Sequence, residues 1–342
     1  MKFGIHLDLS VPRPFDQESE RRVFDDAIEQ AIEAERLGFD FCWASEHHFL
    51  EEYAHGTAPD LILAAVAART SQLRLGLSML AHPANQPAVT AARAASLDVL
   101  SRGRVELAIA RPATWAELSA FGAEPSADAW DETVGGVARI WADGGAALGG
   151  AHFRQRERAV LPRPYQRPHP PLWASALDAA GEGEAAALGL GLLTPALADL
   201  DGQAQRLAEY KNRVGASEGV ARFVNDQIAL SDFMFCHEGE GSAVEASERL
   251  LRTARDLAAQ QVSAGELGFR GAPAQPSGLA VGNPRTIIRT LWSWESKGAD
   301  QVVLTLNAAG SLSQAEILTS LRLFAAEVMP VFHRERARAA AE

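Results

Sequence analysis

The chain has 342 residues and a formal net charge of −12, which argues against a nucleic acid or an anionic membrane as partner, since no basic face offsets the charge. Hydrophobic residues make up 47% and charged residues 22%, the balance of a chain that buries a large core. Its two cysteines, Cys42 and Cys236, are too few for a disulfide framework, so a reducing cytoplasm is expected.

Met1-Lys2-Phe3-Gly4-Ile5-His6-Leu7 enters a strand pattern at once, without the basic, apolar and small-residue regions of a signal peptide. No apolar run approaches the ~20 residues that span a bilayer, so a soluble protein is expected. After a strand over residues 2–8, Glu20–Gly38 reads as a helix, with Phe24, Ala27, Ile28, Ala31, Ile32 and Leu37 at helical spacing. Phe39–Trp43 is the next strand. Pro59–Thr70 is a helix, and Leu73–Leu80 a third strand. Pro87, a good first-turn residue, opens a helix to Leu100. Val105–Ala110 is the fourth strand and Ala129–Trp141 a helix. His152–Pro171 carries five prolines, Pro162, Pro164, Pro168, Pro170 and Pro171, and reads as an extended connector. Leu172–Ala176 (strand), Glu182–Leu188 (helix), Leu190–Thr194 (strand), Leu200–Val214 (helix) and Phe223–Cys236 (strand) follow. Ser242–Gln260 reads as an alanine-rich helix and Ser263–Gly282 as a loop insertion. Asn283-Pro284 caps a helix to Lys297, Gln301–Leu306 is the last strand, and Gln314–Phe332 the last helix.

Strands that alternate with helices imply parallel pairing and right-handed crossovers, in either a closed barrel or an open doubly wound sheet. No Gly-x-Gly-x-x-Gly follows the first strand, which weakens a dinucleotide fold. Barrels above about 250 residues are routinely one domain, so residues 1–342 are expected to form a single one.

Three stretches carry candidate chemistry. In Trp43-Ala44-Ser45-Glu46-His47-His48-Phe49, two imidazoles and a carboxylate stand where a strand meets a loop, a setting for proton transfer near neutral pH. The bland alternative is a polar loop edge with hydrogen-bonded histidines. A metal site is not expected: in an extended segment only Glu46 and His48 share a face with ease, and no further ligand motif completes a zinc set. Arg111 ends the fourth strand, where a guanidinium can grip a phosphate; an ordinary surface arginine is the alternative. Ala174-Ser175-Ala176-Leu177-Asp178-Ala179-Ala180-Gly181 passes from strand through a small-residue turn into a helix whose free N–H groups suit an anion, or is a tight turn chosen for packing.

These stretches resemble the bacterial luciferase family of flavin-dependent monooxygenases. The resemblance is strongest from Gly38-Phe39-Asp40 to Glu46-His47-His48-Phe49, and continues in Ala67-Ala68-Arg69-Thr70-Ser71-Gln72-Leu73-Arg74-Leu75-Gly76 and in Ala95-Ser96-Leu97-Asp98-Val99-Leu100-Ser101-Arg102-Gly103-Arg104. It extends through Phe121-Gly122, Pro162–Trp173 and Val281-Gly282-Asn283-Pro284 to Phe324–Pro330, and is weakest between about residues 195 and 280. It implies a single (β/α)8 TIM barrel with loop insertions, forming a homodimer. It also implies reduced FMN delivered by a separate flavin reductase, and oxygen transfer to a small-molecule substrate. By position, His47 matches the family's catalytic histidine, with Glu46 and His48 in support. Arg111 matches the phosphate-binding arginine. Ser78 and Met79 stand where the family has a non-prolyl cis peptide beneath the flavin ring, and Ala176, Leu177 and Asp178 lie in the phosphate loop. Pro112 replaces the family's usual glycine, Ala110 stands where some members have a reactive cysteine, and Val89 and Ala92 replace a charged pair. Two other readings stay open: a deazaflavin-dependent oxidoreductase on the same barrel, and a non-catalytic partner subunit of an active homologue.

Overall fold

The computed structural model describes residues 1–7, 9–51, 55–81, 85–111, 115–122, 127–196, 200–239, 241, 245, 248–249, 280–307 and 310–333. Most of the expected helix Ser242–Gln260, the loop from Ser263 to Leu279, Pro112 and the tail from Arg334 lie outside them.

The strands, in chain order, are β1 (Lys2–Leu7), β2 (Phe41–Ser45), β3 (Arg74–Leu80), β4 (Val105–Ala110), β5 (Leu148–Gly149), β6 (Arg154–Gln155), β7 (Leu172–Ser175), β8 (Gly191–Pro195), β9 (Ile228–Cys236), β10 (Ala280–Gly282) and β11 (Gln301–Thr305). Strands β1-β2-β3-β4-β7-β8-β9-β11 pair in that order, all in parallel, and the β8–β9 pairing joins the two halves into a ring. The open sheet is thereby ruled out, and the architecture is the (β/α)8 barrel. β5 and β6 form a small antiparallel pair outside the ring. β10, expected as loop, instead adds in parallel to Met234–Cys236 of β9.

Alternate residues of each strand face opposite ways, and the sequence assigns each face a different filling. Phe3, Ile5, Leu75, Leu77, Met79, Val105, Leu107 and Ile109 pack outward under the helices. Phe41, Trp43, Ala108, Trp173, Ala229 and Val303 fill the interior. The two tryptophans meet edge to face, with ring centroids 5.8 Å apart. Their bulk fits because β3 carries Gly76 beside Trp43: a Cβ there would stand 1.9 Å from indole Cδ2. At the N-terminal end of the ring, Glu106 accepts from Arg74 Nε (2.6 Å) and Trp173 Nε1 (2.6 Å). Burial raises its carboxyl above the usual range, and Arg74 opposes this.

The element ends depart from the sequence expectation for local reasons. Helix Gln17–Leu37 starts three residues before Glu20 because the Asp16 side chain caps it, accepting from Ser19 N–H. It stops at Gly38, whose φ of 88° is the left-handed region that glycine enters without strain. Phe39 N–H then bonds back to Ala34, so β2 begins at Phe41 rather than Phe39. Helix Pro59–Ala67 ends before Thr70, since the Arg104 guanidinium takes the Ala67, Thr70 and Leu73 carbonyls. β9 starts at Ile228 rather than Phe223, because Asn225 turns its side chain to the Leu172 carbonyl. Among the described residues no helix is long and apolar enough to cross a membrane.

Gly76→Ala is expected to cost about 1–3 kcal/mol by overpacking the ring interior, seen as a lower urea midpoint. An unchanged midpoint would show that Trp43 moves aside freely.

Candidate active site

The C-terminal ends of a parallel ring all open at one mouth, and the register brings the candidates there. Ser45 pairs with Ser78, Leu80 with Ala110, and Ala110 with Ser175. Glu46, Ser78, Arg111, Ala176 and Leu177 therefore all stand at or near the same end.

Glu46 is buried and its carboxylate is fully used. Oε2 accepts from Leu80 N–H (2.9 Å) and Asn85 Nδ2 (2.7 Å), while Oε1 meets His48 Nε2 at 2.9 Å. Its own N–H donates to the Ser78 carbonyl at 2.9 Å. This carboxylate thus ties β2 to β3 and fixes His48. His48 also packs edge to face on Phe121, and the next residue, Phe49, takes a left-handed φ of 61° that bulky residues rarely adopt.

His47 has a different setting. Its Nδ1 lies 3.3 Å from Glu117 Oε1, which also accepts the His48 N–H at 3.0 Å. Glu117 is buried, with its side chain 1% exposed against 23% for His47, so a held carboxylate orients a partly open imidazole. That is the arrangement a proton-transfer group needs. Glu117 comes from the short helix Trp115–Ala120, which has no counterpart among the sequence-predicted elements. An acidic residue 70 positions from its partner leaves no local signal.

Below them lies His6, inward on β1 opposite Trp43 in register. Its Nε2 meets Ser45 Oγ at 2.9 Å, and its buried Nδ1 has no hydrogen-bond partner. Burial, and then His47, push its pKa down to about 4, so it is a neutral imidazole at neutral pH.

Ser78 faces the interior, and the Met79 side chain is buried outward in the helix-facing core. Only its backbone reaches the mouth. The cis bonds among the described residues precede Pro14, Pro162 and Pro168, so Ser78–Met79 is not the cis peptide the resemblance implies. The regular ladder to β4, Ser78 to Ala108, Met79 to Ile109 and Leu80 to Ala110, explains its extended course.

Across the mouth, the Arg111 guanidinium lies 4.6 Å from the Trp130 ring centroid and donates Nη2 to Glu184. Its buried Nε has no partner. Helix Ala179–Ala187 starts beside it, and Asp178 caps that helix by accepting Gly181 N–H at 2.8 Å. The Asp178 carboxylate therefore serves its own helix, Leu177 is exposed at the rim, and Ala176 is buried with its N–H on the Leu193 carbonyl at 2.9 Å. A Cβ at Gly181 would stand 3.1 Å from Ala176 Cβ, 3.4 Å from Asp178 Oδ1 and 3.6 Å from Arg111 Nη1, so the bare glycine forms a close cradle where the helix start approaches the guanidinium. Among the described residues no three His, Cys, Asp or Glu side chains gather as a metal set.

The profile of luciferase-like monooxygenases matches residues 1–301. The chain belongs to that family. Its sequence is 24% identical over 360 aligned residues, covering 98% of this chain and 97% of the relative, to the oxygenase component of flavin-dependent trigonelline monooxygenase from Acinetobacter baylyi. Its fold matches monooxygenase RslO1 from Streptomyces bottropensis with a TM-score of 0.84 and 26% identity, covering 97% of this chain and 100% of that one. An F420-dependent secondary alcohol dehydrogenase shares the fold at a TM-score of 0.72 and 18% identity, over 96% of this chain and 98% of that one. This luciferase-like barrel thus shares its architecture with a monooxygenase and with an F420-dependent dehydrogenase.

His6 makes the stability of the barrel depend on pH. Unfolded histidine titrates near 6.5 and folded His6 near 4, so between these values only the unfolded chain takes the proton. Stability should fall as pH drops through that window, by about 1.4 kcal/mol per pH unit. His6→Leu should flatten this slope in urea denaturation between pH 7 and 5. Parallel profiles for the two proteins would contradict burial of a neutral His6.

Proposed function

We propose that this chain is the oxygenase component of a two-component monooxygenase, using reduced FMN from a separate flavin reductase and O2 on a small organic substrate. The observation that carries this reading is the meeting at one mouth of His47, held by buried Glu117, with Arg111, whose buried Nε is unpartnered beside the Gly181 cradle. In this reading residues 1–342 work as one unit in the cytoplasm.

The residues suit FMN. Arg111 offers its Nε and the first N–H groups of helix Ala179–Ala187 lie next to it, a pairing that favours a phosphate. Ser78 and the Met79 backbone line the wall that a flavin ring would face. Reduced FMN, when bound, supplies the electrons for oxygen chemistry in which one oxygen atom enters the substrate and the other leaves as water. Forming that water requires a proton to be placed, and His47 holds one at its imidazole. Glu117 keeps the ring in position, and Glu46 does the same for His48 through the 2.9 Å contact. The similarity to the trigonelline enzyme's oxygenase component, over nearly the whole of both chains, supports the reading.

A second reading, hydride transfer by a deazaflavin, draws support from the likeness to the F420-dependent dehydrogenase. Anaerobic titration with reduced FMN and reduced F420 separates the two: the proposal expects tight binding of the first only, and preference for F420 would overturn it. Failure of both to bind would favour the partner-subunit reading.

Two variants test the roles. Arg111→Ala should weaken reduced-FMN binding about 10- to 150-fold, from ~1.5–3 kcal/mol for a charged hydrogen bond; an unchanged dissociation constant would move the phosphate elsewhere. His47→Ala should lower product formation by roughly 10²–10⁴, the usual share of a positioned acid or base, with reduced-FMN binding nearly intact. Normal turnover would assign the proton to another group.

A further inference from the structure

The Arg111 guanidinium is shared. Its Nη2 is held by the Glu184 carboxylate, its Nη1 faces the Gly181 cradle, and its Nε has no partner. Trp130 lies against its face and confines it to this plane. Glu184 belongs to the same helix, Ala179–Ala187, whose start forms the cradle, so it cannot withdraw without a rotamer change or a movement of the helix. Other acids crowd the spot. Asp178 carries its carboxylate at the cap, and Asp131 stands close enough that burial and then Glu184 together raise its pKa, with Arg111 opposing. Around one guanidinium there are thus three carboxyl groups, Asp131, Asp178 and Glu184.

We infer that Glu184 competes with the flavin phosphate for Arg111 and is the residue that sets how strongly this chain prefers FMN over unphosphorylated riboflavin. The inference rests on the proposed phosphate site and goes beyond it. A dianionic phosphate entering the cradle on the Nη1 and Nε side shares one guanidinium with Glu184, and it meets the Glu184 charge at short range. Riboflavin has no such group, so its binding is indifferent to Glu184. The pair costs the free protein little, since side-chain exposures of 33% for Arg111 and 42% for Glu184 keep both ends in contact with water. The bound phosphate therefore shares the guanidinium with a ready-made counter-charge.

The test is equilibrium dialysis of the wild type, Glu184→Gln and the Arg111→Ala/Glu184→Gln double variant against reduced FMN and reduced riboflavin, anaerobically. Glutamine keeps the size and helix preference of glutamate while removing its charge. Glu184→Gln should bind FMN about 10-fold or more tightly than the wild type, the worth of one charge-assisted hydrogen bond, with riboflavin unchanged. The double variant should lose that gain. An unchanged FMN-to-riboflavin ratio overturns the inference while leaving the flavin site standing. Weaker FMN binding also overturns it, and makes Glu184 a residue that positions Arg111. If no variant binds either flavin, the inference and the proposed function fall together.

Discussion

The mouth of this barrel is organised on one buried carboxylate. Glu46 sits buried where β2 ends, and its carboxyl oxygens need partners there. Leu80 N–H and Asn85 Nδ2 fill one, and His48 Nε2 the other. Those three bonds join the ends of β2 and β3, set the path of the loop that follows, and turn His47 away from Glu46 toward Glu117. Removing that carboxylate takes the acceptor from the buried Leu80 N–H and one contact each from His48 and from Asn85, whose Nδ2 also donates to the Leu80 carbonyl. His47 is thus flanked by two fixed points, Glu46 with its anchored loop and Glu117 at its own imidazole.

A second constraint comes from inside the ring. Two indoles in one barrel interior require neighbours without side chains, and Gly76 supplies that space next to Trp43. Aromatic bulk fills the middle of the interior, the Glu106–Arg74 pair lies at its N-terminal end, and His6, Ser45 and Ser78 lie on the mouth side. The same ring delivers Arg111 to the far side of the mouth, where Trp130 and the helix Ala179–Ala187 receive it.

Much of this was legible in the sequence because it depends on local periodicity. The alternation of strand and helix gave the eight ring strands, and the residues ending β2 and β4 are those that stand at the mouth. The closure of the ring was not local: it depends on β8 meeting β9, a pairing no single segment encodes. Nor were the partners of the site residues. Glu117 reaches His47 across 70 positions from a stretch where the sequence reading has no element, and Glu184 reaches Arg111 across 73 from an ordinary helix position. Met79 shows the opposite case. The period of two along β3, with Leu75 and Leu77 outward, already places its side chain away from the mouth.

The central claim is that the mouth holds a flavin phosphate on Arg111 with the ring toward His47. A crystal structure of the protein with FMN tests it most directly. The account predicts the phosphate within hydrogen-bond reach of Arg111 and the first N–H groups of helix Ala179–Ala187, and the isoalloxazine between Ser78 and His47. A phosphate seated away from Arg111, or a flavin outside the C-terminal mouth of the ring, would contradict it.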